Sequence, residues 1–204
     1  MLQYLISAFS GPGAVFMYLI VALLAYALAV GIERGFLLGV SWRPGASVRA
    51  ALEAGRLDDA LKEAGDTPLG GVLAAGVGET DPEVAWEAMS AAAVHAEERV
   101  SRRVAGLNAV ANLATMLGLL GTVYGLILAF SALGDSSAGE RALKLSEGIS
   151  TAMATTAFGL MVGIPALGLH AWLDGAVRTR VSELEASAGL VMLTLRRRGA
   201  QSDD

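Results

Sequence analysis

Three stretches of the chain hold no Asp, Glu, Lys or Arg and are almost wholly apolar: residues 14–32, 104–133 and 148–173. A helix crosses a bilayer core with about 20 mostly apolar residues, so each stretch predicts a membrane-spanning helix. The parts between them read as helices too, not strands. Ser41–Gly45 predicts a turn. Ala46–Ala54 predicts a helix ended by Gly55, and Leu57–Ala64 a second one ended by Gly65. Thr67-Pro68 and Gly70-Gly71 predict a further interruption. Asp81-Pro82 is a helix start, with Asp as N-cap and Pro in the first turn. From Glu83 no breaker follows until Gly106, which predicts one rod running into the second span. After the third span, Val177, Val181, Leu184, Ala188 and Val191 recur at three to four residues, predicting that this helix also continues beyond the membrane. Residues 1–13 are apolar and broken from the first span by Gly11-Pro12-Gly13. They read as a short helix lying in the outer interface, or as a frayed start of the span.

The fold class expected is therefore an all-α membrane protein of three transmembrane helices with long helical extensions. Its parts are an outer N-terminal segment (1–13), span one (14–32), an inner helical domain (33–103), span two (104–133), an outer loop (134–147), span three (148–173) and an inner C-terminal helix and tail (174–204). Basic residues set the orientation. They gather between spans one and two, from Arg34 to Arg103, and after span three, from Arg178 to Arg198. The connection between spans two and three holds only Arg141 and Lys144, and nothing basic precedes span one. Residues 33–103 and the tail are thus expected in the cytoplasm, and the N-terminus on the other side. A signal peptide is the competing reading of the first stretch, on its Ala25-Tyr26-Ala27 pattern. It lacks the basic n-region such a peptide needs.

Composition agrees. Charged residues make up 17% of the chain, against about 25% in soluble domains. A net charge of −5 gives no footprint for nucleic acid. The absence of cysteine excludes disulfides and thiolate metal sites. An intramembrane enzyme needs a nucleophile with a base, or paired metal ligands, at membrane depth. The spans hold no Cys, Asp or Glu, and only His170 approaches such chemistry. No catalytic residue, cofactor or metal is predicted. A secondary carrier would show internal repeats and broken helices, and the sequence shows no repeat.

Spans two and three are unlike lipid-facing anchors. Gly121, Gly125 and Ala129 fall four apart on one face of span two, with Ala114 and Gly118 on a nearby face. Span three carries Thr151, Thr155, Gly159 and Gly163 four apart, with Ala152 and Thr156 beside them. Small residues let backbones approach, and hydroxyls bond across helices or back to their own backbone. These faces predict that spans two and three pack closely, with span one outside them. By spacing alone the stripes stand for packing, and Pro165 for a kink that frees the carbonyl of Met161.

The order of the motifs goes further. Gly118-Leu119-Leu120-Gly121-Thr122-Val123-Tyr124-Gly125 resembles the second-span signature of the MotA/TolQ/ExbB family. The run from Glu147-Gly148-Ile149-Ser150-Thr151-Ala152 through Thr155-Thr156-Ala157-Phe158-Gly159-Leu160 to Ile164-Pro165-Ala166 resembles its third-span signature, and Glu33-Arg34 after span one is also similar. The short length and three spans look like the ExbB/TolQ branch, since the flagellar MotA branch has four. The resemblance implies a homopentamer whose second and third spans line a pore. It implies a pair of single-span ExbD/TolR-like subunits in that pore, whose aspartate carries protons. The proton motive force would then drive a TonB- or TolA-like envelope partner, or surface motility, from the bacterial inner membrane. Thr122 and Thr156 match the pore-facing threonines of spans two and three. Thr151 matches the place where ExbB and TolQ commonly carry a glutamate, so this chain needs its acid from a partner. Thr122, Thr151, Thr155, Thr156 and Glu147 are the expected pore and proton-path residues. Gly118, Gly121, Gly125, Gly159, Gly163 and Pro165 are the expected packing residues. Glu147 reads equally as a solvated helix-start carboxylate, His170 as a proton exit or an interfacial side chain, and Tyr124 and Trp172 as anchors or packing. The competing function is a scaffold that surrounds partner helices without conducting.

Overall fold

The computed structural model of the chain describes residues 9, 11–40, 46–79, 81–131 and 138–202. The turn expected at 41–45, residues 1–8 and 10 of the N-terminal segment, and residues 132–137 of the connection between spans two and three lie outside the described residues. Among the described residues there are seven helices and no strand. They are α1 (Ala14–Val40), α2 (Ala46–Glu53), α3 (Leu57–Ala64), α4 (Pro68–Val77), α5 (Pro82–Ser101), α6 (Val104–Ser131) and α7 (Ala138–Ser202). Helices long and apolar enough to cross a membrane occur at the three expected places. The all-α class with three such helices is borne out.

The described residues fall into two compact units. One takes residues 1–32 and 103–171, the other 33–102 and 172–204. In the first unit, Ile20 of α1, Ala114 of α6 and Val162 of α7 meet in a core that also gathers Leu23, Leu24, Leu117 and Phe158. Outside this core the unit is apolar. Met116, Leu119 and Phe130 on α6 and Met153 and Ile164 on α7 are all exposed. An apolar exterior of that extent is what lipid or another protein covers.

The second unit is built from short capped helices. Gly55 (φ 71°) and Gly65 (φ 56°) adopt the left-handed backbone expected of helix ends. The Asp81 carboxylate accepts from Glu83 N at 2.8 Å, so the start expected at Asp81-Pro82 is present. Two expectations are corrected here. Gly70 and Gly71 do not interrupt a helix but lie inside α4, which Thr67 starts by accepting from Gly70 N at 3.1 Å, with Pro68 in the first turn. The glycine at 70 serves close approach: a Cβ there would stand 1.9 Å from the Gly65 carbonyl oxygen. The long rod expected from Glu83 onward is broken at Arg102–Arg103, where Arg103 turns left-handed (φ 69°). A side chain from far along the chain satisfies a carbonyl at this break. Arg34, only 5% exposed, donates from Nη1 to the Arg99 carbonyl at 2.9 Å. That carbonyl belongs to the last turn of α5, where the helix itself supplies no donor.

After the third span the helix continues as expected. Val177, Leu184, Ala188 and Val191 are buried on one face, and Leu195 extends the series. At its other end α7 begins at Ala138, so residues 138–147 are helical as well.

Candidate functional site

Helices α6 and α7 run antiparallel. A Cβ on Gly125 would meet Ala152 N and Gly148 O at 2.7 Å each, and one on Gly159 would meet Ala114 O at 2.6 Å, so rising numbers on one helix face falling numbers on the other. Gly118 faces Thr155 O and the Gly159 Cα, and Gly163 faces Ala111 O at 3.0 Å. The expected packing glycines therefore all lie in one seam, where backbone meets backbone. In a membrane such contact is driven by van der Waals fit and interhelical hydrogen bonds, since lipid tails are as apolar as the side chains.

The threonines divide into two sets. Thr155 is fully buried. Its hydroxyl donates to backbone oxygens of its own helix, Thr151 O and Ala152 O, each at 3.0 Å, and its side chain fills the space over Gly121. Thr151, 8% exposed, packs its methyl over Gly13, just ahead of α1, and Thr155 touches the same glycine. Thr122 and Thr156 form the other set. They are half-buried, sit across the seam from each other, and their hydroxyl oxygens are hydrogen-bonded together. Thr156 Oγ1 lies 3.1 Å from Gly118 O, and Thr122 Oγ1 lies 3.2 Å from both Gly118 O and Ala152 O.

This pair has two hydroxyl protons and a surplus of acceptors. Each hydroxyl brings one donor and two lone pairs. When one hydroxyl donates to the other and the second donates to a carbonyl, lone pairs remain open on the exposed side. Such a pair accepts a hydrogen bond from water or from a protonated carboxyl group. It can also reverse its internal bond by rotating two C–O bonds. It has no acid of its own: no Asp or Glu lies within residues 104–133 or 148–173.

The remaining expected residues are spread along α7. Glu147 is exposed, about one turn before Thr151. Pro165 lies inside the helix and is exposed. Asp174 pairs with Arg178 as their spacing predicts, Oδ2 to Nε 2.8 Å, and this raises the pKa of the guanidinium. Trp172 is exposed, and Tyr124 packs its ring 5.5 Å from that of Phe16 on α1. His170 is half-buried with Nδ1 3.0 Å from Val104 O. A carbonyl only accepts, so Nδ1 is the donor in this contact. Sequence reasoning did not single out Thr115, whose hydroxyl donates to Ala111 O at 2.9 Å and lies 2.7 Å from where a Gly163 Cβ would be. Its seven-residue spacing from Thr122 was the available signal.

Comparison with known proteins bears on all of this. A family model described as the MotA/TolQ/ExbB proton channel family matches residues 57–186. A putative biopolymer transport protein ExbB homolog of Methanothermobacter thermautotrophicus is 28% identical over 182 residues, covering 85% of this chain and 64% of the relative. The biopolymer transport protein ExbB of Aquifex aeolicus is 33% identical over 93 residues, covering 46% of this chain and 62% of the relative. A putative ExbB-like protein of Synechocystis is 42% identical over 88 residues, covering 42% and 35%. The chain thus spans less than two thirds of the length of these relatives, from 64% down to 35%.

Proposed function

We propose, from the premise that this chain belongs to the MotA/TolQ/ExbB proton channel family, that its α6–α7 pair is the proton-conducting wall of a membrane motor. The chain is a multi-pass membrane protein. In this reading α1, α6 and α7 cross the bacterial inner membrane, with the N-terminus outside and residues 33–103 and the tail in the cytoplasm, following the basic residues. Copies of the chain, five by the family resemblance, ring a central passage. Two single-span ExbD/TolR-like subunits occupy it and bring the carboxylate that this chain lacks.

One observation carries the proposal: half-buried Thr122 and Thr156 join hydroxyls across a seam built on close approaches at Gly118, Gly125 and Gly159. Polar groups at membrane depth are retained facing protein or water, not lipid. The pair is suited to receive a proton-carrying carboxyl of a neighbouring helix and release it again. Thr155 and Thr151, turned into the packing against Gly121 and Gly13, hold the wall in shape, and Glu147 stands at the outer mouth. Transit of protons moves the partner pair and delivers work to an envelope partner, in keeping with relatives described as biopolymer transport proteins.

The test is substitution at the two hydroxyls. Thr122→Val and Thr156→Val keep shape and remove the hydrogen bonds. With assembly unchanged, each is expected to abolish proton-dependent work in cells. Unimpaired work in both variants refutes conduction along this wall and favours a scaffold.

A further inference from the structure

The threonine pair is the end of a longer polar file. Asn108, Thr115 and Thr122 stand seven residues apart on α6, and Thr156, Gly163 and His170 stand seven apart on α7. Seven residues are nearly two helical turns, about 10 Å of rise, so each set keeps to one edge of its helix. The antiparallel seam brings the sets together in rungs. Thr122 bonds Thr156, Thr115 reaches over Gly163, and His170 bonds Val104 O one turn from Asn108. All five polar side chains are exposed or half-buried, whereas Gly118, Gly121, Gly125 and Gly159, and Gly163 beneath Thr115, are buried. The file therefore runs along the accessible edge of the seam, among exposed Met116, Leu119 and Val123. An amide, hydroxyls and an imidazole on an edge facing hydrocarbon would each cost free energy, and all five share one edge.

We propose that this edge is a water-bearing track and that its last rung, Asn108 with His170, passes protons between the Thr122–Thr156 site and the cytoplasm. The proposal rests on the reading of those threonines as the conducting wall. His170 suits the task because of the bond it already makes. With Nδ1–H fixed on Val104 O, a proton arriving through water adds to the Nε2 lone pair, giving the imidazolium. It leaves from Nε2 to a second water on the inner side, restoring the neutral ring. Nδ1 keeps its proton throughout, so the ring needs no flip. Asn108 holds the intervening water by donating and accepting, and Thr115, whose hydroxyl donates to Ala111 O, by accepting. Ionisable groups on the adjoining elements are Tyr26 on α1, whose hydroxyl comes 2.9 Å from a Cβ placed on Gly106, Glu33 and Arg34 further along α1, Arg103 ahead of α6, and Asp174 one turn past His170 and held by Arg178.

The experiment measures decay of an imposed pH gradient in liposomes holding the intact complex, purified with the subunits that accompany the chain. His170→Gln keeps a donor for Val104 O but cannot take up a proton. It is expected to lower flux at least about tenfold, as removal of a proton-transfer group does, with assembly unchanged. Asn108→Leu is expected to lower flux too. His170→Ala is expected to regain flux when imidazole is added, while Thr122→Val is not. Full flux in His170→Gln alongside blocked flux in Thr122→Val overturns the relay and leaves the threonine site standing. Full flux in both overturns the two together. Should His170→Gln fail to assemble, Asn108→Leu decides at an exposed position, and full flux there overturns the track.

Discussion

Gly125→Ala puts a single methyl group where the seam has no room. The new Cβ would stand 2.7 Å from Ala152 N and from Gly148 O, and 2.9 Å from the Ala152 Cα. Ordinary contact begins near 3.5 Å, and these are backbone atoms with no rotamer to yield. Relief requires α6 and α7 to part by several tenths of an ångström, which loosens the close approaches at Gly121 and Gly118 as well. Overpacking of this kind costs about 1–3 kcal/mol. Against it stands the intrinsic gain of replacing helical Gly by Ala, about 0.8–1 kcal/mol. Gly175→Ala isolates that gain, because Gly175 is exposed on α7 and a Cβ there meets nothing within 4 Å. The propensity gain is common to both variants, so they should differ by the overpacking cost, about 1–3 kcal/mol, with Gly125→Ala the less stable. Reversible unfolding in mixed micelles, titrated with a denaturing detergent and followed by tryptophan fluorescence, reads the difference. A Gly125→Ala protein as stable as Gly175→Ala would refute backbone contact as the basis of the seam.

The second unit and the break between α5 and α6 give further predictions. Arg34→Ala leaves the Arg99 carbonyl without its side-chain donor and should destabilise by about 1–3 kcal/mol. Arg34→Lys, which still offers one donor, should recover part of this, and the same unfolding titration reads both. At Arg103, whose φ is 69°, Val and Asn both remove the guanidinium but differ in tolerance of left-handed backbone. Arg103→Val should be less stable than Arg103→Asn by about 1–2 kcal/mol, and equal midpoints would contradict the strain assigned there.

The sequence made some of this legible and hid the rest for physical reasons. Uncharged runs announced the three membrane helices, because nothing but lipid or protein can surround so many apolar positions. Four-residue spacing within Ala114/Gly118, Gly121/Gly125/Ala129 and Gly159/Gly163 announced the seam, because close helix approach tolerates only small residues. Caps at Gly55, Gly65 and Asp81 were visible for the same local reason. The break at Arg103 was not, since neither glycine nor proline marks it. Arg34, distant along the chain, supplies the donor for the freed carbonyl of Arg99, and no local pattern records that. Gly70-Gly71 misled because the pair lies inside α4, where Gly70 serves close approach to the Gly65 carbonyl, not a turn. The division of the threonines was hidden too. Thr155 and Thr156 are neighbours in sequence, yet one is sealed over Gly121 and the other shares a hydrogen bond with Thr122. Only the rotation of α7 against α6 distinguishes them.

A density map of the chain assembled in a membrane with its accompanying subunits probes the central claim most directly. The account predicts a passage between copies of the chain, with Thr122 and Thr156 turned into it and a carboxylate from a foreign helix within hydrogen-bonding reach. Those two hydroxyls facing acyl chains, around an assembly with no axial opening, would contradict it.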